Sequence, residues 1–217
     1  MLSASLMQIR NEIMAKEIMA SAEIYKTEVA GKKFLVLFEG QYIEVTFKTK
    51  NLLHLCGVDT PLRSAVEFYR RSISGRLLPT DIGFSEEHPY DLAVKKVSAL
   101  KDAIKIMWKD VFIVSDLTTK THFFKFGATN LEVTICISED TDKNGNIMTG
   151  EYVPCSLRVE NISNDKFVEM FSVDYVFIKN SQDKVYSEMI YGKKDEITEY
   201  IMNHGMDGLV NALDLTL

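Results

Sequence analysis

Five β-rich runs follow one another from residue 110 onward: "DVFIVSDL", "THFFKFGAT", "LEVTICIS", "YVPCSLRVE" and "VDYVFIK". Each has strand length and is rich in β-branched and aromatic residues, and turn residues separate them. This succession constrains the chain more than any other feature, because it commits the second half to an antiparallel sheet. Two further runs, "KKFLVLFE" and "QYIEVTFK", meet around Gly40 and read as a hairpin.

Helices must then come from the remaining segments. Residues 6–29 carry Leu6, Ile9, Ile13, Met14 and Ile18 at three- and four-residue steps, with Gly31 as a stop. This helix either packs on the domain or, with its three methionines, offers a dimerisation or partner-binding surface. In "DTPLRSAVEFYRRSISG", Asp59 or Thr60 caps a helix that takes Pro61 in its first turn and carries Arg63, Arg70 and Arg71. Residues 90–108 place Ala93, Val97, Leu100, Ile104 and Met107 on one face. At about 100° per residue, Lys96 leaves the shoulder of that face and Lys95 points away from it. "KKDEITEYIMNHGMDGLVNALDL" reads as short helices broken near Gly205. The order is helix, hairpin, two helices, antiparallel sheet, helix, which is α+β. Boundaries fall at 1–32 (N-terminal helix), 33–192 (main domain) and 193–217 (helical tail).

Charge is unevenly spread. Residues 1–127 hold 18 Lys and Arg against 15 Asp and Glu, and residues 128–217 hold 7 against 16. Any phosphate-binding surface belongs to the more basic portion, and overall acidity argues against strong non-specific nucleic-acid binding. No apolar run reaches membrane-spanning length, and charges at Arg10, Glu12, Lys16 and Glu17 interrupt what a signal peptide keeps apolar. The expected compartment is the cytoplasm. Three cysteines without paired spacing agree with it, and His54-x-Cys56 is too small a cluster for zinc.

"DTDKNGNIMTGE", residues 140–151, puts Asp140, Asp142, Asn144 and Glu151 where a calcium-binding loop has its oxygen ligands. Such a loop hangs between helices, whereas here strand-like runs flank it. Asn144-Gly145 serves a hairpin turn equally well. An acidic hairpin is the simpler reading, and a calcium-responsive interaction protein is the alternative it must displace.

His54 alternates with Leu53 and Leu55 just before Gly57, a pattern that also fits a buried structural histidine. His88, His122 and His204 have no neighbouring constellation in the sequence. There is no Gly-rich phosphate loop, nucleophile elbow or two-histidine metalloprotease helix. Tyr152 and Ser156, evenly spaced in one run, are expected on one strand face, with Pro154 between them and Arg158 continuing it.

"NLLHLCGV" resembles the "FLHLTG"-like signature of a phage-associated nuclease family within the barnase–EndoU–colicin–RelE superfamily. The "LAVKKVSAL" helix and "YVPCSL", similar to a Tyr-x-Pro-x-Ser/Thr-Leu motif, resemble it too. These features follow in the family's order, over roughly residues 33–190. The resemblance implies a RelE-like sheet packed on helices and metal-independent endoribonuclease chemistry without a cofactor. The RNA 2′-hydroxyl attacks the phosphate and leaves a cyclic phosphate. His54 would serve as base or acid, Lys96 would stabilise the phosphorane, and Ser156 would bond a phosphate oxygen. Tyr152 would stack on a base, with Arg158 and Arg63 as further RNA contacts. A toxin or phage–host conflict role implies an antitoxin or immunity partner. Two positions depart from the family: Cys56 stands where a hydroxyl residue is expected and Cys155 where a basic one is common. An inactive RNA- or protein-binding module is therefore the rival reading.

Overall fold

The computed structural model describes residues 4–108, 111–119, 122–142, 144–160, 163 and 165–214. Helix α1 (Ala4–Glu28) buries Met14, Ile18, Ala22 and Tyr25, one residue per turn, and so belongs to the domain core. Leu6, Ile9 and Ile13, on its N-terminal half, stay exposed. Strands β1 (Lys32–Phe38) and β2 (Gln41–Thr46) form the expected hairpin. Glu39 and Gly40 both take positive φ (44° and 71°), the left-handed pair that a two-residue turn between twisted strands requires. The apolar run of β1 is unbroken because both its faces are covered. Phe34, Val36 and Phe38 meet the helical layer, while Leu35 and Leu37 meet the C-terminal elements.

The histidine-containing segment is a short helix, α2 (Asn51–Cys56), closed by Gly57 in the left-handed conformation. The next helix, α3 (Ala65–Ile73), starts later than its sequence indicates. Ser64 caps it, accepting from Glu67 N, while Thr60 donates its hydroxyl to Asp81 O instead. Arg63 therefore lies in the exposed loop before the helix. Helix α4 (Tyr90–Ile104) runs into a 3₁₀ turn at Lys105–Trp108.

Four strands follow in antiparallel succession: β3 (Phe112–Thr118), β4 (Phe123–Thr129), β5 (Val133–Thr141) and β6 (Ile147–Val159). Two short strands escape sequence reading, β7 (Met170–Ser172) and β9 (Glu188–Tyr191), on either side of β8 (Tyr175–Asn180). Helix α5 (Ile197–Asn203) ends before Gly205, as expected. The described strands make one nine-stranded sheet, ordered β7-β3-β4-β5-β6-β2-β1-β8-β9. All pairings are antiparallel except β2 with β6, which are parallel and touch only at Glu44↔Glu151 and Val45↔Tyr152. The fold is α+β.

Helices α1 to α4 cover one sheet face. The other is covered at one end by Ile197, Ile201 and Leu209 over β1 and β8, and at the other by a small cluster around Val114, Leu117, Phe124 and Cys136. Strand β6 runs between these two covers. Among the described residues, no helix is long and apolar enough to cross a membrane.

The 140–151 segment forms a bulged hairpin and does not assemble a calcium cage. Asp140 is buried against the Lys48 amine, with Lys50 Nζ at 3.9 Å from its second oxygen. Asp142 spends its carboxylate inside the turn, accepting from Asn144 N, Asn146 N and Asn146 Nδ2 at 2.8–2.9 Å. Glu151 has already joined the ladder opposite Glu44. Among the described residues no cluster of His, Cys, Asp and Glu could hold a metal ion; Lys143, within this loop, lies outside them.

Candidate active site

A gap in the sheet positions the site. After Thr46 the chain leaves β2 and turns into α2, which packs along the edge of β6 that β2 no longer covers. The inner residues of α2, Leu52, Leu55 and Cys56, are buried in the core, and His54 faces solvent. The buried-core alternative for His54 is thereby removed.

Helix α4 packs against both α2 and β6. Lys96 is 5% exposed and Lys95 is exposed, as their helical phase requires. The Lys96 side chain runs over Gly57 so closely that a Cβ there would sit 2.6 Å from its Cδ and 3.0 Å from its Nζ. Gly57 has φ +63°, so both the backbone conformation and the space exclude a side chain. Gly57→Ala is expected to destabilise the fold by about 1–2 kcal/mol from the left-handed backbone alone, and to displace Lys96 as well. Urea unfolding together with RNA turnover would check both effects.

The Lys96 amine ends 3.5 Å from Ser156 Oγ on β6. A bulge decides which way Ser156 points. Ser156 pairs with Cys136, but the next partner of β5, Ile137, pairs with Pro154, so Cys155 is the extra residue. Side-chain alternation therefore slips by one. Tyr152 stays with the helical-side core, its ring edge-on to Phe126 at 5.2 Å, while Ser156 shares the face of Cys136. The even spacing of Tyr152 and Ser156 does not put them on one face, because the bulge lies between them. Arg158, two residues beyond Ser156 and opposite Thr134, does share the face of Ser156.

The Arg158 guanidinium lies 6.0 Å from the Phe124 ring, and its Nη2 donates to Thr119 Oγ1 at 3.3 Å. Its Nε is buried without a hydrogen-bond acceptor among the described residues. Neither Lys96 nor Arg158 forms an ion pair with a described carboxylate. Burial, first, and then the charge of Arg158 lower the Lys96 pKa from its usual 10.5. Burial pushes the Cys136 and Cys56 thiols each up to about 12, and raises that of Cys155. All three are therefore neutral and unfit as nucleophiles. A cation and a hydroxyl 3.5 Å apart, with a second cation on the same strand face and no described carboxylate paired to either cation, can receive an oxyanion.

A second group of residues adjoins α2. Solvent reaches His54, yet protein crowds the ring enough that lost hydration, then the charges of His88 and Lys50, lower its pKa from 6.5. His88 Nδ1 lies 2.7 Å from Asp59 Oδ1. Asp59 is held by a two-way backbone bridge to Gly83, and hydrogen bonds from Ser85 and His88 outweigh its partial burial to lower its carboxyl pKa. This histidine–carboxylate pair has no signature in sequence, since 29 positions separate its members. Lys96 is not among the groups that shift His54; the two sets meet through α2, where His54 is one turn before Gly57. At that spacing positions on a helix lie about 5–6 Å apart. Arg63 makes no hydrogen bond or ion pair with Lys96, Ser156 or Arg158.

A hollow of about 490 Å³ opens elsewhere, beside Tyr175, Gly192, Lys193 and Tyr200. There the Tyr200 hydroxyl donates to Asp174 at 2.6 Å and accepts from Gly40 N, which fastens α5 to the first hairpin. This is a structural latch without unpaired cations of the Lys96–Arg158 kind.

No curated protein sequence and no solved structure matches this chain. A family model does match, across residues 17–195, from the middle of α1 to the segment before α5. That span contains His54, Gly57, Lys96, Ser156 and Arg158, and the chain belongs to the phage-barnase-EndoU-colicin E5/D-RelE-like nuclease family 4.

Proposed function

We propose that the protein is a metal-independent endoribonuclease that cleaves RNA by attack of a 2′-hydroxyl on the adjacent phosphate. The observation that carries this reading is the Lys96–Ser156–Arg158 group, two cations and a hydroxyl with no described carboxylate paired to them. A phosphodiester supplies the missing charge, and the phosphorane formed during attack carries more of it. The Lys96 amine faces the developing charge, Ser156 donates to a non-bridging oxygen, and Arg158 adds a second positive charge on the same strand face. His54, neutral at neutral pH, accepts the 2′-hydroxyl proton. RNA reaches this group across the C-terminal end of α2. Tyr152 and Arg63 have no part in it.

The test is turnover of an RNA oligonucleotide and of the same sequence with one 2′-deoxy residue at the cleaved position, both in EDTA. Cleavage of the first alone is the expected result. Cleavage of the deoxy strand, or a requirement for added magnesium, would overturn the mechanism. Binding of RNA without turnover by the folded protein would instead make it a module that keeps the phosphate receptor and lacks the chemistry.

A further inference from the structure

Cleavage by a 2′-hydroxyl needs two proton transfers, one from the attacking oxygen and one to the leaving 5′-oxygen. The Lys96 group and His54 account for charge and for the first transfer, so the donor for the second is missing. We infer that His88, oriented by Asp59, is the general acid that protonates the leaving 5′-oxygen. The assignment rests on the ribonuclease reading above.

The geometry is that of a positioned imidazole. Asp59 Oδ1 holds His88 Nδ1 at 2.7 Å. With the carboxylate ionised, Nδ1 carries a proton and Nε2 is the nitrogen left to act on a ligand. The carboxylate is itself fixed. Asp59 and Gly83 exchange backbone hydrogen bonds at 3.0 and 2.8 Å, and the Ser85 hydroxyl also bonds its side chain. The His88 backbone is secured in turn, its N–H donating to Ser85 Oγ and its carbonyl accepting from Ser85 N, each at 3.2 Å. Such bracing exceeds what a loop histidine needs for solubility. His88 is a third exposed, so the ring stays accessible.

Position points the same way. His88 is close enough to His54 for its charge to depress the His54 pKa, and Asp59 follows Gly57, on which Lys96 lies, by two residues. The charges of His88 and Lys50 act on His54, and Glu86 and Glu87 lie in the loop of His88 itself. Two histidines of unequal environment, one with lowered basicity and one tied to a carboxylate, divide the roles of base and acid. In the step, His54 takes the 2′-hydroxyl proton, the 2′-oxygen bonds to phosphorus, and the P–O5′ bond breaks. His88 Nε2–H delivers its proton to the departing 5′-oxygen. The products are a 2′,3′-cyclic phosphate and a 5′-hydroxyl, and both histidines reset by exchange with water.

The experiment compares wild type, His88→Gln and Asp59→Asn on an RNA oligonucleotide and on its analogue with bridging sulfur at the 5′ position of the cleaved linkage. A thiolate leaves without protonation. His88→Gln is expected to lose about 10²-fold or more on normal RNA and to recover most of it on the thio substrate. Asp59→Asn should follow with a smaller loss and the same rescue, which keeps the test valid if His88→Gln folds poorly. Equal losses on both substrates would make the pair structural and overturn the assignment, as would no loss on either. If wild type cleaves neither substrate, the ribonuclease reading fails and takes this assignment with it; wild-type cleavage with unaffected variants sinks the assignment alone.

Discussion

Replacing Lys96 with Met is expected to reduce RNA cleavage by about 10²–10³-fold while leaving the melting temperature unchanged or higher. Most buried-residue substitutions that abolish activity also destabilise, so this combination is diagnostic. The amine is enclosed with one hydroxyl acceptor at 3.5 Å, and a second cation, Arg158, shares its surroundings. Holding it protonated there disfavours the folded state, and methionine fills a similar volume without the charge. The pH dependence follows from the lowered pKa. The unfolded chain binds this proton more tightly than the folded one, so the penalty is complete below the folded-state pKa and fades as pH rises from there toward 10.5. The stability advantage of Lys96→Met should therefore shrink as pH rises and vanish in alkali. Thermal unfolding at several pH values, with turnover measured alongside, checks both halves. A clear fall in melting temperature at neutral pH would mean that the ammonium has a stabilising partner.

His54→Ala is the second large effect, a loss of about 10²–10⁴-fold in kcat/KM with the fold intact. The side chain is exposed on α2, and surface substitutions away from special features stay within about 0.5 kcal/mol. Because crowding and the charges of His88 and Lys50 lower its pKa, His54 is deprotonated throughout the neutral range. The acidic limb of the wild-type profile should then have its midpoint below 6.5. That limb should be missing from His54→Ala. Retention of full activity would return His54 to the protein surface as an ordinary polar residue.

What the sequence disclosed followed from periodicity. The 3.6-residue pattern of 90–108 separates Lys96 from Lys95, because helical phase alone decides which of two adjacent residues meets the core. The strand runs and the α+β order are legible for the same reason. The face assignment of Tyr152 failed because period-two alternation holds only in an unbroken ladder, and one extra residue at Cys155 reverses it. Nothing in "PCSL" announces that bulge. The start of α3 is ambiguous in sequence because Thr60 and Ser64 are equally good caps, and only the tertiary partner of Thr60, Asp81 O, distinguishes them. Asp140 matches a calcium ligand by type and spacing, and is claimed by Lys48 from another strand connection. The Asp59–His88 pair was invisible because the bridge to Gly83 that brings its loops together depends on backbone atoms, which any sequence could supply.

The most direct measurement is the chemical identity of the ends produced when purified protein cleaves RNA in EDTA, read by mass spectrometry of the fragments. The account predicts 2′,3′-cyclic phosphate on the upstream fragment and a 5′-hydroxyl on the downstream one. A 5′-phosphate with a free 3′-hydroxyl would mean that water, not the ribose, attacks the phosphorus. That result would contradict the assigned roles of His54 and Lys96 together.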